Sequence, residues 1–276
     1  MKKFILNADD FGMSDYYNQA VLDGYSFGIL KSASLCSNGE AFDDAINNII
    51  PQCPDLSVGV HLNIIEGKSL TNAPLLTDEN GVFNNGYIAM IIKSFNKDFL
   101  NQVEAEFRAQ IEKAVAKTKI SHLDSHVHTH AIPNIFKIVL KLAKEYNIPY
   151  IRTQFEKPYI VPNLKKHLNT KYPPNILKII LLNTFTLINK KQIENSGIKT
   201  NDYLIGVGYT GLMDEKTIEY GLKALKKDFV AEALIHPCKY EEEISDSHAA
   251  EFGATQSTVL KKAIENMNIE ITNYSF

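Results

Sequence analysis

Residues 120–130 read Ile-Ser-His-Leu-Asp-Ser-His-Val-His-Thr-His, and this stretch holds four of the eight histidines in the chain. Alternate side chains of an extended strand share one face. A strand here would present four imidazoles and one carboxylate on one face, from His122, Asp124, His126, His128 and His130. Such a face is unsuited to a hydrophobic core and is typical of a metal site. The alternative is a polar strand edge, or a histidine-rich tract without function.

The whole row of histidines cannot bind a single ion. Neighbours on one face of a strand are about 6.6 Å apart, whereas a metal–nitrogen bond is about 2 Å long. We therefore expect one or two of these side chains to be metal ligands. The other ligands must come from elsewhere in the chain.

Outward from this stretch, apolar runs that predict strands alternate with amphipathic patterns that predict helices. The predicted strands are 4–6, 32–37, 56–61, the histidine stretch, 148–153, 203–207 and 229–235, with an extended segment at 269–276. The predicted helices are 16–25, 41–50, 99–117, 135–146, 175–191, 214–226 and 258–267. This alternation, over 276 residues, is typical of a single-domain β/α barrel. We predict a distorted barrel of about seven to eight strands over residues 1–276, with a helical excursion at about 156–195.

Polar residues with catalytic potential follow the predicted strands. Asp9 and Asp10 come after the first strand, His61 ends the third, Arg152 lies near the end of 148–153, and His236 follows 229–235. Active sites of β/α barrels lie at the C-terminal ends of the strands. No GxGxxG or Walker motif is present, which argues against nucleotide binding.

The Asp9–Asp10 pair has two interpretations. In a regular strand the two carboxylates point to opposite faces, so both can reach one site only where the backbone turns. Gly12 is well placed to allow such a turn. The alternative is a helix N-cap, although Ser14 and Asp15 already provide capping side chains for the next helix.

One aspartate and two histidines on separate strands would leave open metal positions for water and substrate. Such an ion lowers the pKa of bound water to about 7 and polarises a carbonyl or phosphoryl oxygen. A nearby carboxylate could accept the water proton, and a histidine could protonate the leaving group. The pattern therefore predicts metal-assisted hydrolysis of an amide, ester or phosphate.

Composition excludes several classes of function. The net charge of −3 provides no basic surface for nucleic acid. Three scattered cysteines argue against a disulfide framework and suit a reducing cytoplasm. The first apolar run ends at Asn7, too early for a signal peptide, and the apolar stretch 176–188 is interrupted by Lys178 and Asn183. We expect a cytoplasmic protein without membrane contact.

Four ordered motifs resemble those of the YdjC-like carbohydrate deacetylases, the family of the chitooligosaccharide deacetylases. They are Asn-Ala-Asp-Asp-Phe-Gly at 7–12, Gly-Val-His-Leu-Asn at 59–63, His-Leu-Asp-Ser-His at 122–126 followed by His128 and His130, and Ile-His-Pro at 235–237. The resemblance extends from residue 3 to about 155 and from about 196 to the end. Residues 156–195 diverge from it.

The resemblance implies removal of an acetyl group from an N-acetylated amino sugar by attack of a metal-bound water. Asp10, His61 and His126 match the metal ligands, Asp9 the general base and His236 the general acid. Substrate-binding candidates are Asn63, Asp124, His128 and Arg152. Which of Asp9 and Asp10 turns toward the ion stays open at this point. Magnesium is the ion that the resemblance implies, while the donor set is also compatible with zinc, manganese or cobalt.

The expected partner is a small saccharide, whose length and phosphorylation the sequence does not determine. The apolar segment 175–191 is compatible with a homodimer. Three other functions stay open: a metal-dependent phosphoesterase acting on a sugar phosphate, a sugar-binding regulatory protein without catalysis, and a histidine-rich metal buffer that would bind several ions.

Overall fold

The structure is a computed structural model that describes residues 1–162, 164–170, 172–239 and 246–275, without the side chains of 164, 165 and 246. Two residues of the predicted excursion, 163 and 171, and residue 276 of the predicted terminal segment lie outside the described residues.

A curved parallel sheet forms the centre of the molecule. Its strands lie in the order β5-β4-β3-β2-β1-β7-β6, and β8 pairs in parallel with β1. The strands are β1 (Lys2–Phe11), β2 (Ser32–Leu35), β3 (Ser57–Leu62), β4 (His122–Ser125), β5 (Tyr150–Ile151), β6 (Tyr203–Ile205), β7 (Phe229–Ile235) and β8 (Glu270–Thr272).

Helices flank this sheet. They are α1 (Asp15–Phe27), α2 (Phe42–Asp44), α3 (Tyr87–Lys93), α4 (Lys97–Val115), α5 (Pro133–Glu145), α6 (Leu164–His167), α7 (Tyr172–Glu194), α8 (Glu215–Lys223), α9 (Asp246–Thr255) and α10 (Thr258–Asn266). Among the described residues, no helix combines the length and the apolar character needed to cross a membrane.

The two ends of the sheet approach each other without regular strand pairing. Lys199 N donates to Pro149 O at 2.9 Å, Ile151 N donates to Lys199 O at 3.0 Å, and Leu204 N donates to Phe155 O at 2.8 Å. The sheet therefore curls into a half-barrel whose seam lies between β5 and β6. The predicted distorted barrel of seven to eight strands is confirmed.

Strand β1 is longer than its apolar run predicts. Phe4, Ile5, Leu6 and Ala8 are fully buried, as expected for a strand covered on both faces in a parallel sheet. β1 pairs with β7 from Lys2 to Ala8. It continues through the polar residues up to Phe11 because Asn7 and Asp9 have buried hydrogen-bond partners.

The predicted row of histidines on one strand face is wrong. β4 ends at Ser125, and a 3-10 turn from His126 to Ala131 follows. Val127 and His128 have left-handed backbone conformations, with φ of 52° and 58°. These dihedrals rotate each side chain in a different direction, so the five polar residues do not share one face.

Several helices also differ from the predicted pattern. The short helices α3 and α6 and the weakly amphipathic α9 were not among the predicted helices. The predicted helix 41–50 is α2 followed by a π-helical turn at Ala45–Ile49 and a 3-10 turn at Ile50–Gln52, which contains Pro51. In the excursion, α7 exposes Leu177, Ile180, Leu187 and Ile188, and the homodimer stays a prediction.

Candidate metal and acid–base site

Three predicted ligands meet at the C-terminal ends of β1, β3 and β4. Asp10 Oδ1 lies 3.0 Å from His126 Nδ1 and 3.4 Å from His61 Nε2, and one donor atom of each residue lies within 4.8 Å of the other two. Ligand atoms about 2.1 Å from one ion, at angles between octahedral and tetrahedral, are separated by about 3.0–3.4 Å. The Asp10–His61–His126 cluster therefore fits a divalent ion.

A local backbone distortion brings Asp10 into this cluster. The pairing of β1 with β2 shifts register between Ala8 and Phe11, and Asp10 has φ of 63°. Such bulges redirect a side chain at the cost of backbone strain. The turn that the sequence predicts at Gly12 is present, with φ of 87°, but the residue that redirects the carboxylate is Asp10. Of the adjacent pair, Asp10 is the one that joins the histidines.

Asp124 lies behind the cluster and orients His61. Its Oδ1 is 2.8 Å from His61 Nδ1, which leaves Nε2 of that ring facing Asp10. Its Oδ2 accepts hydrogen bonds from Ser34 Oγ at 2.6 Å and from Arg152 Nη2 at 2.7 Å. A carboxylate in this position fixes the tautomer of a metal-binding histidine. Because Asp124 is fully buried, this position does not fit the predicted contact with a sugar.

The acidic side chains of Asp10 and Glu66 favour positive charge at the cluster, as the pKa values of its residues show. Burial favours the neutral form of His126, but the hydrogen bonds and charges of Asp10 and Glu66 outweigh it and raise the pKa of His126 to about 10. Burial would raise the pKa of Asp10, but His126, His236 and His61 together lower it well below its ordinary value. Glu66, from the loop after β3, lies 3.3 Å from His126 Nε2.

Asp9 lies beside His61 of the cluster and is held there by Arg152. The guanidinium donates from Nη1 to Asp9 Oδ2 at 2.8 Å and from Nη2 to Asp9 Oδ1 at 2.7 Å, and Asn7 Nδ2 donates to Oδ1 at 2.8 Å. Arg152 also contacts Glu232 Oε1 from Nε at 2.8 Å. Arg152 is fully buried behind Asp9, so this position does not fit the predicted contact with a sugar.

A second group of potential ligands, Asp9, His61 and Asp124, also lies within 4.8 Å. Both of its carboxylates already bind the guanidinium of Arg152, and its imidazole nitrogen is engaged by Asp124. The group that contains Asp10 is therefore the better candidate for an ion.

His236 follows β7 and lies at the mouth of the site, with 28% of its side chain exposed. Glu251 of α9 accepts a hydrogen bond from the backbone nitrogen of His236. The same carboxylate oxygen lies 3.2 Å from Nδ1 of the His236 ring. Burial would lower the pKa of His236, but Glu251, Asp10 and Asp9 raise it to about 9. The imidazole is therefore protonated at neutral pH.

The other two substrate-binding candidates occupy different environments. The Asn63 side-chain oxygen accepts hydrogen bonds from Ile65 N at 3.0 Å and from Glu66 N at 3.1 Å. Asn63 therefore holds the loop that carries Glu66, and this role does not fit the predicted contact with a sugar. His128 has a buried Nδ1 without a hydrogen-bond partner among the described residues, and burial and nearby cations lower its pKa well below the ordinary value. Its contact with substrate stays a prediction.

The remaining histidines of the opening stretch stabilise the fold. His122 stacks on Tyr274 with ring centroids 3.9 Å apart and lies 2.8 Å from Ser121 Oγ through Nδ1. His130 bonds to Ser125 Oγ and lies 3.0 Å from the carbonyl oxygen of Arg152 through Nε2.

Four residues that complete this centre were not among those predicted from the sequence. Glu66 and Glu251 contact His126 and His236, while Glu232 contacts Arg152 and accepts a hydrogen bond from the hydroxyl of Tyr274. Glu232 stands inside the apolar strand β7, where a lone acid signals a buried partner. Glu251 and Tyr274 carry no comparable local signal.

Comparison with known proteins finds relatives that are carbohydrate deacetylases. A carbohydrate deacetylase from Clostridium beijerinckii is 31% identical over 211 residues, covering 75% of this chain and 82% of the relative. One from Thermoanaerobacter pseudethanolicus is 28% identical over 285 residues, covering 100% of this chain and 99% of the relative. One from Brevibacillus brevis is 40% identical over 149 residues, and there the match spans 58% of the relative.

A solved structure from Enterococcus faecalis V583, described as a cellobiose-phosphate cleavage protein, has the same fold. The TM-score is 0.74 at 24% identity, with 99% of this chain and 97% of the other covered. The family model described as YdjC-like protein matches residues 3–266, including the divergent excursion. This chain therefore belongs to the YdjC-like protein family.

Proposed function

We propose that this protein is a metal-dependent deacetylase that removes the acetyl group from an N-acetylated amino sugar of the chitooligosaccharide type. The observation that carries this proposal is the Asp10–His61–His126 cluster, which lies beside the Asp9 carboxylate that Arg152 holds and near the His236 imidazole that Glu251 holds. The names of the relatives support a carbohydrate substrate.

A divalent ion held by Asp10, His61 and His126 would supply Lewis-acid chemistry, because it polarises a carbonyl oxygen and makes water more acidic. We propose magnesium for this position. The mixed oxygen and nitrogen donor set is also compatible with zinc, manganese and cobalt.

Asp9 is proposed to accept a proton from the attacking water. Arg152 and Asn7 hold both of its oxygens in place with three hydrogen bonds, so the carboxylate does not need to reorganise during the reaction. The buried Arg152 and Asp124 act through Asp9 and His61 and do not touch the sugar.

His236 is proposed to donate its proton to the leaving nitrogen. With a pKa of about 9 it carries this proton at neutral pH, and Glu251 stabilises the imidazolium. Addition of water to the acetyl carbon and cleavage of the carbon–nitrogen bond then yield acetate and the free amine.

The test combines metal content with product analysis on diacetylchitobiose and its 6-phosphate. We expect one ion per chain by plasma mass spectrometry, and acetate and amine in equal amounts. His126→Ala should lose the ion and the activity, and Asp9→Asn should retain the ion and lose at least about 100-fold in kcat. His167→Gln is the matched control, because His167 pairs with Asp214 outside the cluster.

The other functions give different products. Inorganic phosphate without acetate would establish a phosphoesterase. Sugar binding with neither product would indicate a regulatory protein, and several weakly bound ions per chain would indicate a metal buffer.

A further inference from the structure

Three aromatic rings form a row at the mouth of the site. The His248 ring of α9 lies between the other two, with its centroid 6.1 Å from that of Tyr17 on α1 and 6.4 Å from that of His236. Tyr17 meets His248 edge-to-face at 60°, and the two imidazoles are tilted by 40°. Tyr17 and His248 are both half-buried, so each still presents surface to a ligand.

The elements that carry these rings are fixed to the catalytic residues. α1 begins directly after the turn in which Met13 N donates to Asp10 O at 3.1 Å, and this places Tyr17 close to the metal cluster. His248 stands three residues before Glu251, on the same face of α9, and Glu251 holds His236. The row is therefore part of the wall of the site.

Tyr17 has the environment of a ligand-binding phenol. Neither its hydroxyl nor the His248 imidazole has a hydrogen-bond partner among the described residues, although a half-buried tyrosine hydroxyl usually finds one. Burial and the negative charges of Asp10, Glu251 and Glu66 raise the pKa of Tyr17. The phenol therefore stays protonated and can donate a hydrogen bond to a sugar oxygen.

The chemistry of the reaction determines which part of the substrate meets this wall. A general acid must lie within hydrogen-bond distance of the leaving nitrogen. In amino-sugar deacetylation that nitrogen is bonded directly to the pyranose ring, so the ring must lie on the same side as His236. The acetyl group must lie toward the Asp10–His61–His126 cluster, where its oxygen would be polarised.

We infer that Tyr17 and His248 form the wall against which the pyranose ring of the amino sugar binds, next to His236. This inference rests on the proposed function for its substrate class. Aromatic side chains with a few polar groups are the usual lining of small-molecule sites, because they bury the apolar face of a ligand and orient its polar groups. The wall determines which sugar binds, whereas the Asp10–His61–His126 cluster determines which acyl group is accepted.

The experiment measures kinetics and binding on Tyr17→Ala, Tyr17→Phe and His248→Ala. We expect Tyr17→Ala and His248→Ala to raise the KM for diacetylchitobiose about 10-fold while kcat changes by less than about 3-fold. Tyr17→Phe keeps the ring and should have a smaller effect. The ratio of kcat/KM for N-acetyl and N-formyl substrates should not change in any of the three variants.

Tyr16→Ala is the matched control, since Tyr16 is the adjacent tyrosine of α1 and its side chain is 38% exposed. Circular dichroism and thermal melting of each variant separate loss of the wall from loss of the fold. If the wild type releases acetate and the KM of correctly folded Tyr17→Ala and His248→Ala stays within 2-fold of it, the inference is overturned and the proposed function stands.

Calorimetric titration with chitobiose, the deacetylated product, does not require turnover. If the wild type binds it without releasing acetate from any substrate, and Tyr17→Ala weakens that binding, the proposed function fails and the sugar wall is supported. If the wild type neither binds a chitobiose nor releases acetate, both are overturned.

Discussion

Arg152 binds Asp9 through two nearly equal hydrogen bonds, of 2.8 Å from Nη1 and 2.7 Å from Nη2. The two residues are 143 positions apart in the sequence. The same guanidinium contacts Asp124 at 2.7 Å and Glu232 at 2.6 Å. One buried cation therefore connects the proposed base, the carboxylate that orients His61, and the acid of β7. Bidentate geometry of this kind requires the planar fork of arginine.

Replacement of this arginine by lysine tests the clamp. Arg152→Lys keeps the charge but cannot bind Asp9 through two parallel hydrogen bonds, so we expect a loss of roughly 2–3 kcal/mol in the free energy of unfolding. The value of kcat should fall at least about 100-fold because Asp9 loses its orientation. Urea unfolding and steady-state kinetics measure the two effects. Arg108→Lys, at a partly exposed ion pair, is the control and should cost less than about 1 kcal/mol.

Removal of the carboxylate behind His61 should weaken metal binding. Asp124→Asn removes the negative charge that favours the Nδ1–H tautomer of His61, and we expect a 10- to 100-fold higher dissociation constant for the ion. Competition with a chelator gives this constant. Asp214→Asn removes the carboxylate of the separate pair with His167 and should leave metal affinity unchanged. Equal affinities in Asp124→Asn and wild type would contradict the role assigned to Asp124.

The alkaline limit of activity should follow His236. Its imidazolium is the active form, so kcat/KM, which reports the free enzyme, should fall as the pH rises through about 9. Glu251→Gln removes the main group that holds the proton, and burial then favours the neutral ring. We expect the alkaline limb of the kcat/KM profile to move to lower pH in this variant. An unchanged profile would show that another group donates the proton.

Buried Glu156 should make the protein less stable as the pH rises. Burial raises the pKa of Glu156 to about 7, although Val207 N donates to its carboxylate at 2.7 Å. Because the native state holds this proton more tightly than the unfolded chain, stability is lost between about pH 4.5 and 7. Integrated over that range, the effect is at most roughly 3 kcal/mol.

Glu156→Gln removes this titration while keeping the shape of the side chain. Denaturant unfolding at several pH values should show a flatter curve of stability against pH for the variant in that window. Parallel curves for the variant and the wild type would mean that Glu156 does not titrate there.

Local patterns were sufficient for the architecture. The strand 229–235 was predicted with its observed bounds, and long helices such as α4 and α5 were located to within two residues at each end. These elements are encoded by the periodicity of their own apolar residues, which face one continuous core. The four motifs were likewise enough for the family, since each is read within a few consecutive residues.

The arrangement within the centre depends on contacts between distant parts of the chain. A strict alternation of histidines predicts a shared face, but left-handed dihedrals at Val127 and His128 break it after Ser125. The register shift that turns Asp10 toward the histidines arises from the pairing of β1 with β2. Val127 is β-branched, and such a residue rarely adopts a positive φ, so its residue type does not predict the distortion.

The amino-acid sequence was thus enough to establish a β/α barrel of the YdjC-like family and to name the side chains that gather at its strand ends. The folded chain was needed to distinguish those that face a ligand from those that lie behind them. Asp124 and Arg152 are polar residues in metal-site motifs or at strand ends, like His126, but they are buried among groups up to 143 residues away. The burial of a polar side chain depends on the distant groups that pack around it, and no local pattern of residues specified it for Asp124 or Arg152.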